Sequence, residues 1–240
     1  MFNLENKAAR TIGSALILSA AVFGAFYYNA QSVSQSDVLS VTGSTKETVD
    51  ADQAKLIISL LRTVSQGSLS SGNISIARDR GIVRALLAKH EVAETEISEG
   101  PVSMNQMYSN DQATNPHYEL RQTIIVQSAD IQKVTNIAKV VPDLTAQGAI
   151  VSVGSLEYYY SKLPEKRVAL LSGAIKDAQA RAQMIAESTG RKVGNIRSAS
   201  SGVVQVLPIN SIEVSDYGSY DTSSIKKDIM VTVKASFSLK

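Results

Sequence analysis

Residues 164–190, PEKRVALLSGAIKDAQARAQMIAESTG, form the longest periodic segment of the chain. Their apolar side chains recur every three or four residues, which places them on one face of a helix. This stripe comprises Val168, Leu171, Ile175, Ala178, Ala182 and Ile185. Pro164 suits the first helical turn, where no amide hydrogen is needed, and Gly190 suits the left-handed residue that ends a helix. The segment therefore predicts a helix that packs on a sheet through its apolar stripe.

Patterns typical of strands and helices alternate on both sides of this helix. Apolar alternation and short apolar runs predict seven strands, and a 3.6-residue period predicts two more helices. The strands are predicted over residues 38–49, 54–64, 95–108, 117–127, 149–160, 193–207 and 228–239, and the helices over residues 74–90 and 131–141. Asp130 or Ser128 is placed to cap the second of these helices.

The predicted element order is ββαββαβαββ. Adjoining strands favour hairpins, including one between residues 38–49 and 54–64 and another between residues 95–108 and 117–127. We therefore expect an α+β fold in which a mostly antiparallel sheet carries about three helices on one face.

The N-terminus has the pattern of a membrane-spanning segment. Residues 11–30, TIGSALILSAAVFGAFYYNA, are uncharged and follow Lys7 and Arg10. About 18 of these residues give roughly 27 Å of helix, close to the ~30 Å hydrocarbon thickness of a bilayer. Basic residues on the N-terminal side predict that residues 1–10 are cytoplasmic and that the body is exported. Tyr27 and Tyr28 would then lie at the outer headgroup level.

The same segment also fits a cleaved secretory signal. Cleavage after Ala21 would leave small residues at the recognised positions and release a soluble periplasmic protein. In a retained helix, Ala20 and Gly24 lie four residues apart on one face, where small side chains let two membrane helices pack closely. In either case residues 31–37 form a polar linker, and residues 38–240 form an exported domain.

Composition excludes several functional classes. The 24 basic and 22 acidic side chains leave a net charge of +2, and they are interspersed along the chain, so no basic face for nucleic acid is expected. The chain has no Cys and two His, which excludes thiol catalysis, thiolate zinc sites and multi-histidine metal sites. We expect no cofactor and no metal.

Catalytic patterns are weak as well. Ser161 and Lys162 are adjacent in a predicted strand end, so their side chains would point to opposite faces. Asp50 and Asp52 lack the ligand loop of a calcium site. We therefore predict no catalytic residues and no enzyme activity.

Tyrosines mark the candidate contact surfaces. Tyr158, Tyr159 and Tyr160 end a predicted strand, and in a regular strand Tyr159 would face away from the other two. Tyr217 and Tyr220 lie in the polar loop over residues 208–227, a length typical of functional loops. We interpret these residues, with the membrane-segment residues above, as membrane or subunit contacts.

Three segments resemble the SIMPL-domain (DUF541) family of exported bacterial envelope proteins. Residues 41–54, VTGSTKETVDADQA, are similar to the family's opening strand, with Thr45 and Ala51 where the family has Gly and Pro. Residues 174–194 are similar to its Ala-rich helix and glycine-bearing exit, and residues 229–239, IMVTVKASFSL, to its closing strand. The resemblance covers residues 38–240.

This resemblance implies an α+β envelope domain that in some relatives assembles into large rings or channels, with a loose link to stress tolerance and no known activity. The sequence thus predicts a non-enzymatic, single-pass inner-membrane protein with a periplasmic domain that forms a homo-oligomer. The alternative is a soluble, monomeric periplasmic binding or chaperone-like module released by signal cleavage.

Overall fold

The computed structural model describes residues 38–107, 116–211 and 215–240. The predicted membrane segment with Ala20, Gly24, Tyr27 and Tyr28 lies outside the described residues, as does the predicted linker, and both remain predictions. Among the described helices, none is both long enough and apolar enough to cross a bilayer.

Ten strands and three α-helices make up the described part of the chain. The strands are β1 (Val38–Asp50), β2 (Gln53–Ser65), β3 (Ile97–Glu99), β4 (Ser103–Met107), β5 (His117–Ser128), β6 (Val151–Tyr159), β7 (Val193–Ser201), β8 (Gln205–Pro208), β9 (Ser219–Tyr220) and β10 (Lys226–Leu239). The helices are α1 (Leu69–Lys89), α2 (Ile131–Val140) and α3 (Leu163–Ser188). The predicted α+β class and the three helices are confirmed.

The strands form two five-stranded sheets instead of one. In the first sheet the order is β1-β10-β8-β9, with β7 also on β10; in the second it is β3-β5-β2-β6, with β4 also on β5. The β2, β5 and β6 pairings are antiparallel, and β8–β9 is a parallel pair. The predicted hairpin of β4 and β5 is confirmed by their antiparallel register, which pairs Met107 with His117.

The predicted hairpin of the first two strands is wrong. β1 pairs with β10, whereas both edges of β2 are occupied by β5 and β6. Ala51, in the turn between β1 and β2, donates its backbone N–H to the carbonyl of Ile225 at 2.8 Å, and its side chain is buried. A buried turn that bonds to another segment sends the chain from one sheet into the other.

By contact density the described chain divides into two compact units. The smaller unit comprises residues 38–44, 174–201 and 233–240, and the larger comprises residues 45–107, 116–173, 202–211 and 215–232. The division falls inside β1, α3 and β10, so three elements contribute to both units.

The core of the larger unit lies on one face of the second sheet. Alternate residues of β2 are fully buried there, namely Ala54, Leu56, Ile58 and Leu60. α1 contributes Ile76, Val83 and Leu87 to the same cluster, and α2 contributes Val134 and Ile137. The predicted cap of α2 is confirmed, because the Asp130 carboxylate accepts the Lys133 backbone N–H at 2.9 Å.

In the smaller unit, α3 approaches β1 through small residues. A Cβ atom added to Gly43 would lie 2.2 Å from the Ala174 carbonyl oxygen and 2.3 Å from the Ala178 amide nitrogen. The strand and helix backbones are therefore in direct contact, which only glycine in the strand permits. The buried stripe of α3 is accordingly Leu170, Ala174, Ala178, Ala182 and Ala186.

This stripe corrects the one predicted from hydrophobicity. Ala178 and Ala182 are buried as expected, but Val168 is 69% exposed, Ile175 38% and Ile185 45%. A helix that packs on a glycine needs small side chains at the contact, so its larger apolar residues turn outward. The predicted ending is confirmed, because Gly190 has φ of 71°.

Candidate functional site

Three of the five tyrosines selected from the described sequence line one open depression of the larger unit. Tyr159, Tyr160 and Tyr220 form it together with Gln53, Gln127 and Ser161, and it encloses about 540 Å³. We call this depression the tyrosine trough. Its volume lies within the range of roughly 300–1,000 Å³ that is usual for binding sites.

The end of β6 positions two of these tyrosines. Tyr159 pairs with Gln53 of β2, and its carbonyl accepts the Asp52 backbone N–H at 2.9 Å. The Asp52 carboxylate in turn accepts the backbone N–H and the hydroxyl of Ser161, both at 2.7 Å. Because β6 ends at Tyr159, strand alternation stops there, and Tyr159 and Tyr160 line the same trough.

A hydrogen bond to Glu157 raises the pKa of Tyr159. Its hydroxyl donates to Glu157 Oε2 at 2.5 Å, and this bond, assisted by partial burial, raises the pKa of Tyr159 to about 12. The same bond, with weaker help from Ser155 and Lys55, lowers the pKa of Glu157. Lys55 Nζ lies 3.5 Å from Glu157 Oε2, so the carboxylate has a counter-ion. The six lining residues are Tyr, Ser and Gln, so no Asp, Glu, Lys, Arg or His side chain lines the trough.

Tyr220 closes the opposite wall. Its hydroxyl accepts the Tyr160 backbone N–H at 2.9 Å, and its ring centroid lies 5.9 Å from that of Tyr159 at an interplanar angle of 33°. This tilted geometry is within the range that aromatic pairs favour. The backbone of Tyr220 is held by the parallel pairing of β9 with Val206 of β8.

The other two tyrosines lie elsewhere. Tyr158 is buried in the core, where its hydroxyl bonds to that of Thr135 at 2.9 Å. Tyr217 is 97% exposed, the largest exposed fraction among the described large apolar and aromatic side chains. Of the five tyrosines selected from the sequence, Tyr159, Tyr160 and Tyr220 therefore line the trough. Tyr158 belongs to the core, and Tyr217 projects into solvent.

The turn that carries Tyr217 is anchored to the fold. The carbonyl of Ser215 accepts the Gly218 backbone N–H at 3.1 Å and the Gln205 side-chain amide at 2.5 Å. Gln205 is buried, and Gly218 has φ of 86°, a conformation that favours glycine.

Sequence reasoning missed the amide wall of the trough. Gln53 and Gln127 lie on the paired strands β2 and β5, and Gln127 Nε2 donates to Gln53 Oε1 over a long 3.5 Å. Nothing in the composition of either strand marks these glutamines. The pairing register was the missing signal, because it brings together residues 74 positions apart.

Ser161 and Lys162, considered above as a catalytic pair, do not form a reaction centre. The Ser161 hydroxyl donates a hydrogen bond to the Asp52 carboxylate, and the Lys162 side chain is exposed. Across residues 38–107, 116–211 and 215–240, no group of three His, Asp or Glu side chains could hold a metal ion.

A second candidate surface is the strand β7 in the smaller unit. Seven of its nine residues, Asn195–Ser201, are exposed, so side chains on both faces of the strand are open to solvent. Within the described part of the chain, β10 is the strand that pairs with it, which leaves its other edge without a strand.

Comparison with known proteins identifies the family. A model of the SIMPL family, described as a protein of unknown function (DUF541), matches residues 39–237. The chain belongs to the SIMPL family. The family description assigns no activity, and a comparison with curated proteins gives no match.

Solved structures add no functional argument about this SIMPL protein. A hydantoinase/carbamoylase family amidase from Burkholderia ambifaria is 12% identical over 47% of this chain and 29% of that chain, with a TM-score of 0.27. An amidase of the same family from Burkholderia multivorans is 12% identical over 52% of this chain and 31% of that chain, with a TM-score of 0.25. A hydrolase from Listeria innocua is 9% identical over 82% of this chain and 92% of that chain, with a TM-score of 0.20. The chain spans less than a third of the amidases, and likenesses with such TM-scores carry no argument.

Proposed function

We propose that this SIMPL protein is a non-enzymatic envelope protein, anchored in the inner membrane by residues 11–30, whose periplasmic domain self-assembles into a closed, ring-like homo-oligomer. The basic and apolar pattern of the N-terminus supports the anchor and its orientation. Family membership supports the envelope location. A link to stress tolerance rests on the family resemblance alone.

The exposed strand β7 is the observation that carries self-assembly. A strand that pairs with β10 through two register shifts, while most of its side chains face solvent, gains little burial within its own chain. An open strand edge is a template for another strand. Pairing with a second copy along residues 195–200 would add a strand to the sheet and cover the exposed Ile196.

The register tells which residues of β7 point outward. Gly202 donates its N–H to Thr232, so that pair is a hydrogen-bonded one, and antiparallel pairs alternate along the ladder. Ser200 then bonds toward its partner Lys234, whereas the N–H and C=O of Ala199 point away from β10. Proline at position 199 would therefore spare the β7–β10 ladder and block the outer edge.

The test is the mass of the detergent-extracted full-length protein at micromolar concentration, measured by light scattering. We expect an oligomer for the wild type and for Ala199→Ser, and a shift to smaller species for Ala199→Pro. Circular dichroism of each variant checks that the fold is retained. A protein mass of about 26 kDa for the wild type would refute self-assembly, because that is the mass of a single chain, 25.7 kDa.

The alternative function is a soluble periplasmic binding or chaperone-like module. It is favoured by the possible cleavage after Ala21 and by the tyrosine trough, a concave surface suited to a partner. N-terminal sequencing of the native protein distinguishes the two, because a start at Val22 would remove the anchor.

A further inference from the structure

We infer that Tyr217 of one copy occupies the tyrosine trough of a second copy, and that the second copy returns the same contact. This inference rests on the proposed self-assembly. It names a surface of the larger unit that joins two copies as a pair, and this contact is separate from the one that closes a ring. It requires a projecting group, a matching cavity and a projecting ring that stays outside the cavity of its own chain.

Tyr217 is the projecting group, and we call its side chain the knob. An exposed Tyr leaves roughly 150–250 Å² of mostly apolar surface in water, an unfavourable state for a ring at the tip of an anchored turn. The buried Gln205 amide and the left-handed Gly218 hold that turn in place. Little ordering of the turn is then needed on binding, which favours a strong contact.

The trough matches this group in size and chemistry. Its walls are aromatic rings that can contact a further ring edge-on or offset, and its floor carries two side-chain amides. The long 3.5 Å contact between Gln53 and Gln127 leaves the amides able to reorient toward an incoming phenol hydroxyl. The lining side chains are uncharged, and the Glu157 and Asp52 carboxylates accept hydrogen bonds from two of them, so a neutral group such as Tyr fits better than an acidic one.

The exposure of Tyr217 favours an intermolecular contact. Tyr217 is three residues from Tyr220, so their Cα atoms are at most about 11 Å apart. The ring of Tyr217 is nevertheless 97% exposed, so it does not fill its own trough. When complementary surfaces are neighbours, a twofold axis lets two copies exchange them reciprocally.

Charges beside the two surfaces agree with this pairing. Asp216 precedes the knob and Lys162 follows the trough residue Ser161, and both side chains are exposed. In a reciprocal pair, each acidic side chain approaches the basic one of the other copy. Opposite charges at the rim of an interface accelerate association and select orientation.

The absence of cysteine from the sequence allows a clean cross-linking test. Two full-length variants, Asp216→Cys and Lys162→Cys, carry tags of different size and are mixed in detergent with a short bismaleimide. Both variants keep Tyr217 and all six side chains that line the trough. We expect a mixed cross-linked dimer, and we expect it to disappear when Tyr217→Ala is added to the Asp216→Cys chain.

In a matched control, a cysteine at position 74 replaces the one at position 216 beside Tyr217. Ile74 lies on α1 and is 69% exposed, so Ile74→Cys is accessible to maleimide. A mixed dimer of Ile74→Cys with Lys162→Cys that is as abundant as the test pair would overturn the inference, because it would indicate random collision.

Association strength gives the second readout. Truncation of an aromatic anchor typically weakens binding by about 30-fold or more, so Tyr217→Ala should raise the dimer Kd by that factor in sedimentation. Tyr217→Phe should retain most of the affinity. Because the ring is exposed within its own chain, both variants should keep the wild-type circular dichroism spectrum.

The two proposals fail differently. A monomeric wild type contradicts self-assembly itself. An assembled wild type with neither the mixed cross-link nor a Tyr217→Ala effect on Kd overturns the knob-and-trough contact alone.

Discussion

Replacing Gly43 with alanine tests the close contact between β1 and α3. The added Cβ would lie 2.2 Å from the Ala174 carbonyl oxygen, whereas 3.4 Å is the lower limit of ordinary contact, a shortfall of 1.2 Å. The nearest atoms are all backbone, so no side-chain rotation relieves the overlap. The helix must move by about an ångström or the strand must bend.

The expected loss of stability is about 3 kcal/mol. Overpacking a tight site costs ~1–3 kcal/mol, and a clash with backbone belongs at the upper end of that range. For a domain of this size, each kcal/mol shifts Tm by roughly 2–4 °C. Gly43→Ala should therefore lower Tm by about 6–12 °C.

Thermal unfolding of the full-length protein, followed by circular dichroism, measures this shift. Gly81→Ala is the matched control, because Gly81 lies within α1 and an added Cβ there meets no atom within 4 Å. Alanine is the better helix former by roughly 1 kcal/mol, so the control should raise Tm by about 2–4 °C. Equal midpoints for Gly43→Ala and the wild type would refute the backbone contact.

Three further predictions concern polar side chains. Asp130→Ala removes the cap of α2 and should cost about 1 kcal/mol in urea unfolding, with Asp130→Asn losing less. Asp79 is fully buried and holds Arg62 through two nitrogens, so Asp79→Asn should cost about 3 kcal/mol by the same measurement. The hydroxyl of Thr48 and a neighbouring lysine lower the pKa of Asp228, so the stability it contributes is present above about pH 4 and lost as pH falls further. The gap in urea midpoint between the wild type and Asp228→Asn should narrow from pH 6 to pH 3, and a constant gap would contradict this role.

Local features of the fold were predictable from the sequence because they depend on neighbouring residues. The helix predicted over 164–190 is found at Leu163–Ser188, and the left-handed Gly190 follows it. Caps, turns and periodicity are short-range signals. The partner of β1 was not predictable, because no local pattern distinguishes β2, the next strand, from β10, the last.

The buried face of α3 shows a different limit. Hydrophobicity selected Val168 and Ile175, but contact with Gly43 selects alanines. Where two backbones approach closely, a side chain of small volume packs better than one with a large apolar area. This preference becomes apparent only when the partner strand is known.

The candidate site was predictable in part. The tyrosine cluster was visible in the sequence, but the separation of Tyr158 from Tyr159 and Tyr160 depends on where β6 ends. Tyr220 joins the trough from 60 positions away, and its approach is set by the β8–β9 pairing.

The central place of β2 affects how the protein is made. Ala54 pairs with Ser128 and with Tyr158, 74 and 104 positions later in the chain. At roughly 5–20 residues per second, translation takes about 5–20 s to supply the second partner. Both edges of this apolar strand stay open until β5 is made, about 4–15 s at the same rate, and one edge stays open until β6 is made, so the nascent chain is exposed to aggregation during synthesis.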